Sequence, residues 1–309
     1  MSPVPGAFEI DVVDGVCRCG LPAGRFLSTG FDGGVRVADA AYNVTVPDGW
    51  GESDRHNLRS YVAERLSSAG FTQEAADAAC RAAAGTSHDG ARDAGLPALL
   101  TGVDQRHARV ARLDDVTVVA TAGLSNPAAL PIDDSTPATN AGRADVDDPS
   151  ADGGDPSADG GDPSADGGDP SADGGDPTAD DRPPIGTVNL LVGTGRDLEP
   201  GALANLVAVA AEAKATTLLA TTGFPGTTSD AVVVACDPAG ESTDFSGSAT
   251  RVGSATRICV RDALLASLAS RHASEPVADS VAEADHGVVA DRTASVAPVV
   301  RESDHSADG

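Results

Sequence analysis

The sequence predicts an α+β fold of mixed α/β character, with a single mixed β-sheet covered by helices and interrupted by a disordered acidic insertion. Three observations predict it. Short apolar segments follow one another closely between residues 8 and 46, as the strands of hairpins do. From residue 187 onward, strand, helix, strand and helix patterns alternate. Between these regions, over residues 148–175, the heptapeptide Asp-Pro-Ser-Ala-Asp-Gly-Gly repeats without a break.

Strands are expected in order at residues 8–13, 16–19, 25–28, 35–37 and 42–46, where Val, Phe, Ile, Tyr and Cys concentrate between Gly- and Asp-containing turns. A helix is expected over 54–69, stopped by Gly70, and another over 73–84 behind Thr72. The apolar runs 116–121, 188–192 and 231–235 read as strands, and 201–220 and 254–270 as helices. The repeat has the period of a coiled coil but no large apolar residue at any position, and each unit holds Pro and two Gly. It reads as a solvated tether within a disordered insertion over 131–184. Residues 1–130 and 185–272 are then the two parts of one domain, because the first ends in a strand and a loop and the second opens on a strand. A long insertion there costs little, since closure entropy grows only logarithmically with loop length. Residues 273–309 read as a disordered acidic tail.

The chain carries 47 acidic and 21 basic residues, a net charge of −26. Such a surface repels nucleic acid and anionic membranes at ordinary salt. Acid excess, near-absence of lysine and few aromatics predict a protein that stays soluble in concentrated salt, in the cytoplasm of a halophile. No apolar run approaches a membrane span, and the N-terminus lacks the basic and apolar regions of a signal peptide. Five cysteines, an odd number, agree with a reducing compartment. Cys17-Arg18-Cys19 has no second pair at zinc spacing, so it reads as structural and no residue is assigned to a metal; the sequence does not reveal a metal requirement. His56, His88 and His107 have no patterned acidic or nucleophilic neighbour and read as surface residues.

Lys214 is the only lysine in the 309 residues. At about 100° per residue, it shares one stripe of its helix with Val207, Ala210 and Leu218, with Glu212 near the opposite side. Its ammonium either snorkels to water at an edge or projects into a polar cleft to meet a carboxylate or a developing oxyanion. The next segment, residues 222–230, is Thr-Gly-Phe-Pro-Gly-Thr-Thr-Ser-Asp and leads into an apolar strand. Glycines beside small hydroxyl residues permit turns that present N–H groups, hydroxyls and one carboxylate together. A second hydroxyl and amide cluster, Thr121-Ala122-Gly123-Leu124-Ser125-Asn126-Pro127, follows the strand at 116–121. If the two strands are neighbours, both loops face one cleft.

In register, these segments resemble the adenosylcobinamide amidohydrolase family. The likeness rests on Thr121 to Pro127, Gly186-Thr187-Val188-Asn189, Gly201-Ala202-Leu203, Glu212-Ala213-Lys214 and Thr227-Thr228-Ser229-Asp230-Ala231, in that order. Leu27-Ser28-Thr29-Gly30, Tyr42-Asn43-Val44 and Leu100-Thr101-Gly102-Val103 add to it, whereas the repeat and the tail depart from it. The resemblance implies hydrolysis of the amide joining aminopropanol to the corrin side chain of adenosylcobinamide, in cobinamide salvage. The corrinoid is then a small-molecule substrate and not a cofactor.

Amide hydrolysis needs an activated nucleophile, donors for an oxyanion and an acid for the departing amine. The expected scheme has Asp230 or Glu212 as base, Thr228 or Ser229 as nucleophile or water-orienting hydroxyl, and Lys214 as electrostatic stabiliser. Ser125, Asn126, Asn189, Thr227 and Ser229 are the expected substrate contacts. Glu212 and Lys214 lie on nearly opposite faces of a regular helix, so Glu212 alternatively anchors structure. Two other readings stand beside this one: a non-catalytic corrinoid-binding protein, and an unrelated amidase or acyltransferase with a threonine nucleophile near Thr227 or Thr228.

Overall fold

The computed structural model describes residues 7–30, 33–46, 58–71, 96–132, 186–274, 277–278, 280–284 and 286–296. The expected helix over 73–84, residues 54–57 of the one before it, the heptapeptide repeat, His56 and His88 lie outside the described residues. Contacts divide the chain into one unit of Met1–Leu130 with Arg182–Ala290 and another of Pro131–Asp181 with Asp291–Gly309. All the elements that follow belong to the first.

In chain order these are β1 (Glu9–Val13), β2 (Val16–Ser28), β3 (Gly34–Thr45), α1 (Leu58–Ser68), β4 (Ala98–Thr101), β5 (Arg109–Leu113), β6 (Val116–Ala122) and β7 (Ala128–Ala129). After the insertion come β8 (Val188–Thr194), β9 (Asp197–Leu198), α2 (Pro200–Thr222), β10 (Ala231–Cys236), β11 (Ser242–Thr243), α3 (Arg251–Arg271) and β12 (Val288–Val289). The fold is mixed α/β: one sheet in the order β4-β3-β2-β10-β8-β6-β5, with β1 also paired to β2. β8 runs parallel to β10 and antiparallel to β6. Every residue of β6 and β8 is buried, as expected of strands covered on both faces.

Several boundaries differ from the sequence reading, each for a local reason. The segments 16–19 and 25–28 are one long strand, β2, whose pairing with β3 shifts register between Gly20 and Gly24. Ala23 there takes a positive φ of 51° while its N–H is held by Asp39, a bulge that bends both strands and hides their continuity. The edge strand β5 was not expected, since Arg109 and Arg112 break up its apolar pattern. Helix α3 starts at Arg251 rather than 254, because Thr250 caps it by accepting from Gly253 N. Gly253 is a packing requirement and no helix breaker: a Cβ there would come within 2.1 Å of Gly247 O. The unit continues past the expected end at 272, as β12 pairs in parallel with β7; two-residue strands carry no readable period. Finally, α2 is 23 residues long and holds an 18-residue stretch of mean hydropathy 1.3, so by length and composition alone it does reach a membrane span, contrary to the expectation. Here its buried residues, among them Leu203, Leu206, Ala210 and Leu218, join the core beneath β6, β8 and β10.

Alternate residues of the central strands face two cores. Val118, Leu190 and Val234 pack with α2 and α3. Val119, Leu191 and Val233 pack on the opposite side with Phe8, Cys19, Phe26 and Leu99. That second face closes on itself. Asn43 of β3 donates to Thr121 of β6 at 2.9 Å, although three strands separate them in the hydrogen-bonding order. The sheet is therefore strongly coiled, as its twist favours, and the ends of β3, β4, β6 and β8 gather at one place.

At another edge, Arg106 Nε donates to His107 Nε2 at 3.0 Å, and His107 Nδ1 lies 3.0 Å from Ser270 Oγ. Burial, together with the nearby Arg106 and Arg271, lowers the His107 pKa from its ordinary 6.5. The unfolded chain therefore takes up this proton before the folded one does. The contribution of neutral His107 is complete above pH 6.5 and is lost as pH falls towards its depressed folded value. Thermal melting from pH 7.5 down to 5 is expected to fall less steeply for His107→Gln than for the parent; parallel curves would contradict it.

Candidate active site

The site grows from Lys214 and Asp230. Lys214 sits on the stripe of α2 that also carries the buried Ala210 and Leu218, so its ammonium must find a partner near the core. Gly223, with φ 78°, ends the helix as a left-handed cap and turns the chain back. The returning loop, residues 223–230, delivers Asp230 at the start of β10. Lys214 Nζ and Asp230 Oδ2 form an ion pair whose side chains are only 13% and 12% exposed. Oδ2 also accepts from Thr227 N at 3.1 Å, and Oδ1 accepts from Val188 N at 3.1 Å and Thr227 Oγ1 at 2.5 Å. With four donors the carboxylate is saturated. It fastens α2, the loop and the start of β8 to one point.

The second loop meets the first directly. Pro127 and Thr227 form a β-bridge, Ala128 N donates to Gly226 O at 3.0 Å, and Thr228 N donates to Asn126 O at 3.2 Å. Asn126 Nδ2 donates to Thr228 Oγ1 at 2.6 Å and reaches Ser229 Oγ at 3.4 Å. Ser229 Oγ lies 3.0 Å from Thr187 Oγ1 and donates to Gly186 O at 3.3 Å. The strands that carry these loops are not neighbours, since β8 lies between β6 and β10. The loops touch across it because β8 begins only at Val188, leaving Gly186 and Thr187 as a low saddle. A Cβ on Gly186 would come within 2.3 Å of Asn126 Oδ1 and 2.5 Å of Ser125 N, so only glycine lets the saddle lie this close. Thr228 and Ser229 are exposed and Ser125 half-buried, above the buried Asn126 and Thr227.

A family model described as adenosylcobinamide amidohydrolase matches residues 18–276. An adenosylcobinamide amidohydrolase of Halobacterium salinarum is 48% identical over 290 residues, 94% of this chain and 98% of that protein. The chain belongs to the adenosylcobinamide amidohydrolase family. It is an amidohydrolase.

Of the residues singled out in this amidohydrolase, Lys214, Asp230, Thr227, Thr228, Ser229, Asn126 and Ser125 surround one spot. Asn189 and Glu212 do not join them. The Asn189 side chain is fully buried on the inner face of the coil, where it donates to Asn43 Oδ1 at 2.8 Å and Leu100 O at 2.9 Å. Glu212 points towards α3 and pairs with Arg257 at 2.7 Å, with the carboxylate side chain 58% exposed; such a pair contributes about 0–1 kcal/mol. Thr187 and Gly226 also belong to the cluster, although neither was an expected substrate contact or catalytic group. Among the described residues, no three His, Cys, Asp or Glu side chains gather in a group fit for a metal ion. Cys17 and Cys19 are both buried on the inner face, where the hydrogen bond to Cys17 and burial raise the Cys19 thiol well above its usual range.

The arrangement puts an ammonium and a carboxylate beneath reachable hydroxyls. Thr227 supplies the hydroxyl proton closest to a base, since it donates to Asp230. Asn126 supplies an N–H directed at the exposed Thr228 oxygen.

Proposed function

We propose that this amidohydrolase cleaves the amide joining aminopropanol to the corrin side chain of adenosylcobinamide, giving adenosylcobyric acid and 1-amino-2-propanol for cobinamide salvage. The observation that carries this reading is the buried Lys214–Asp230 pair under the joined hydroxyl loops. Family membership supplies the substrate class. In this scheme Lys214 stabilises the negative charge that develops on the amide oxygen. Thr228 or Ser229 either aligns the attacking water or attacks itself, giving an ester that water then hydrolyses, and the proton taken up by the base passes to the departing amine. Because all four acceptor positions of Asp230 are filled, its work as a base runs through the Thr227 hydroxyl it already holds. No resident cofactor enters the scheme.

We also propose that the protein works in the concentrated salt of a halophile's cytoplasm, on the strength of its net charge of −26. The test is direct. Purified full-length protein is incubated with adenosylcobinamide over a range of KCl concentrations, and released 1-amino-2-propanol is quantified by mass spectrometry. Stoichiometric binding without release would overturn the substrate assignment, as would release from simple amides alone.

A further inference from the structure

The inner face of the coil carries a polar chain that the reaction scheme does not use. Asn43, Thr121 and Asn189 are fully buried beside the apolar Leu99, Val119 and Leu191. Asn189 donates to Asn43 Oδ1 and to Leu100 O, and Asn43 donates to Thr121 Oγ1. Asn189 Oδ1 is buried with no hydrogen-bond partner. Polar groups in such a layer cost stability relative to apolar side chains of the same shape, and an unsatisfied acceptor adds to the cost. Stability alone therefore does not account for them.

Their placement does. The backbone ladder fixes each strand against its neighbour, yet leaves open how tightly the sheet coils. These bonds run between strands that are not neighbours, β3 to β6, β8 to β3 and β8 to β4, so they set the closure of the coil. Thr121 lies at the root of the loop that carries Ser125 and Asn126. Asn189 follows Val188, whose N–H holds Asp230. We infer that Asn43, Thr121 and Asn189 are positioning residues whose buried chain sets the spacing of the two site segments hung from β6 and β8.

The activity arm rests on the reaction proposed above; amide exchange does not. Thr121→Val removes only the hydroxyl that accepts from Asn43. It is expected to stay folded, to lose about tenfold in kcat with KM changed less than about threefold, and to regain activity as Thr121→Ser, since misplacement remote from the chemistry acts on the transition state. The triple variant Asn43→Leu, Thr121→Val, Asn189→Leu is expected to melt within about 5 °C of the parent, because the only partner it leaves without a donor is Leu100 O. Its kcat is expected to remain about 100-fold down. Exchange of the Val188 amide, read by hydrogen–deuterium exchange, should be about tenfold faster in Thr121→Val. An active parent with an unaffected Thr121→Val overturns this inference alone. A parent that releases no aminopropanol overturns the reaction, and unchanged Val188 protection then overturns the positioning role too.

Discussion

Lys214→Met is expected to lower aminopropanol release by about a thousandfold, the loss typical of removing a preorganised charge from a developing oxyanion. Methionine keeps the stem that packs beside Ala210 and Leu218, so the change isolates the ammonium. Asp230 then remains as a carboxylate 12% exposed with three donors left, from Val188 N, Thr227 N and Thr227 Oγ1. Breaking a buried pair costs about 3–5 kcal/mol when a charge is stranded; the remaining donors reduce that cost, so a folded but less stable protein is expected. Glu212→Gln, two residues away in sequence, is the matched comparison. It disturbs only the solvent-facing contact with Arg257 and is expected to leave turnover within about twofold and stability within about 1 kcal/mol. Release rates of the two variants, with a thermal melt of each, decide the matter. Near-parental turnover in Lys214→Met removes the ammonium from the chemistry, and a collapse in Glu212→Gln restores Glu212 to it.

The contrast between these two residues was visible in the sequence, because helical period alone places Lys214 with Val207, Ala210 and Leu218 and turns Glu212 away. The fold class was visible for a similar reason: β6, β8 and β10 are apolar runs with glycine-rich punctuation, and a strand, helix, strand order leads to the parallel β8–β10 pair. Periodicity reports which face a residue occupies, and it is silent on how far a sheet curls. Hence the meeting of Asn43 with Thr121 was out of reach, and Asn189 was read as a substrate contact when its amide faces the inner layer. Hydroxyl-rich loops were legible as turns, but not their contact across β8, which depends on that strand starting late enough to leave Gly186 and Thr187 low. Edge strand β5 and the two-residue strands escaped because Arg109 and Arg112 broke the apolar pattern of the first and sheer brevity erased the signal of the others.

Gly226→Ala tests the same ion pair from the backbone side. Gly226 has no positive φ, so alanine fits its conformation and any effect is steric. The added Cβ would lie 2.3 Å from Asp230 Oδ2 and 2.8 Å from Lys214 Nζ, distances no carbon sustains. The loop cannot retreat freely, since Gly226 O is held by Ala128 N and Thr227 by its bridge to Pro127. Asp230 is held in turn by Val188 N. The displaced group is therefore the lysine end, the flexible partner, and the ammonium leaves its place over the carboxylate. Release is expected to fall about 100-fold in a protein that still melts cooperatively. Gly223→Ala gives the opposite result for the opposite reason. Gly223 has φ 78° and open space around its Cβ position, so the substitution costs about 1 kcal/mol of backbone strain and is expected to leave release within about threefold. If Gly226→Ala turns over like the parent while Gly223→Ala does not, the loop's conformation matters and the close approach to the ion pair does not.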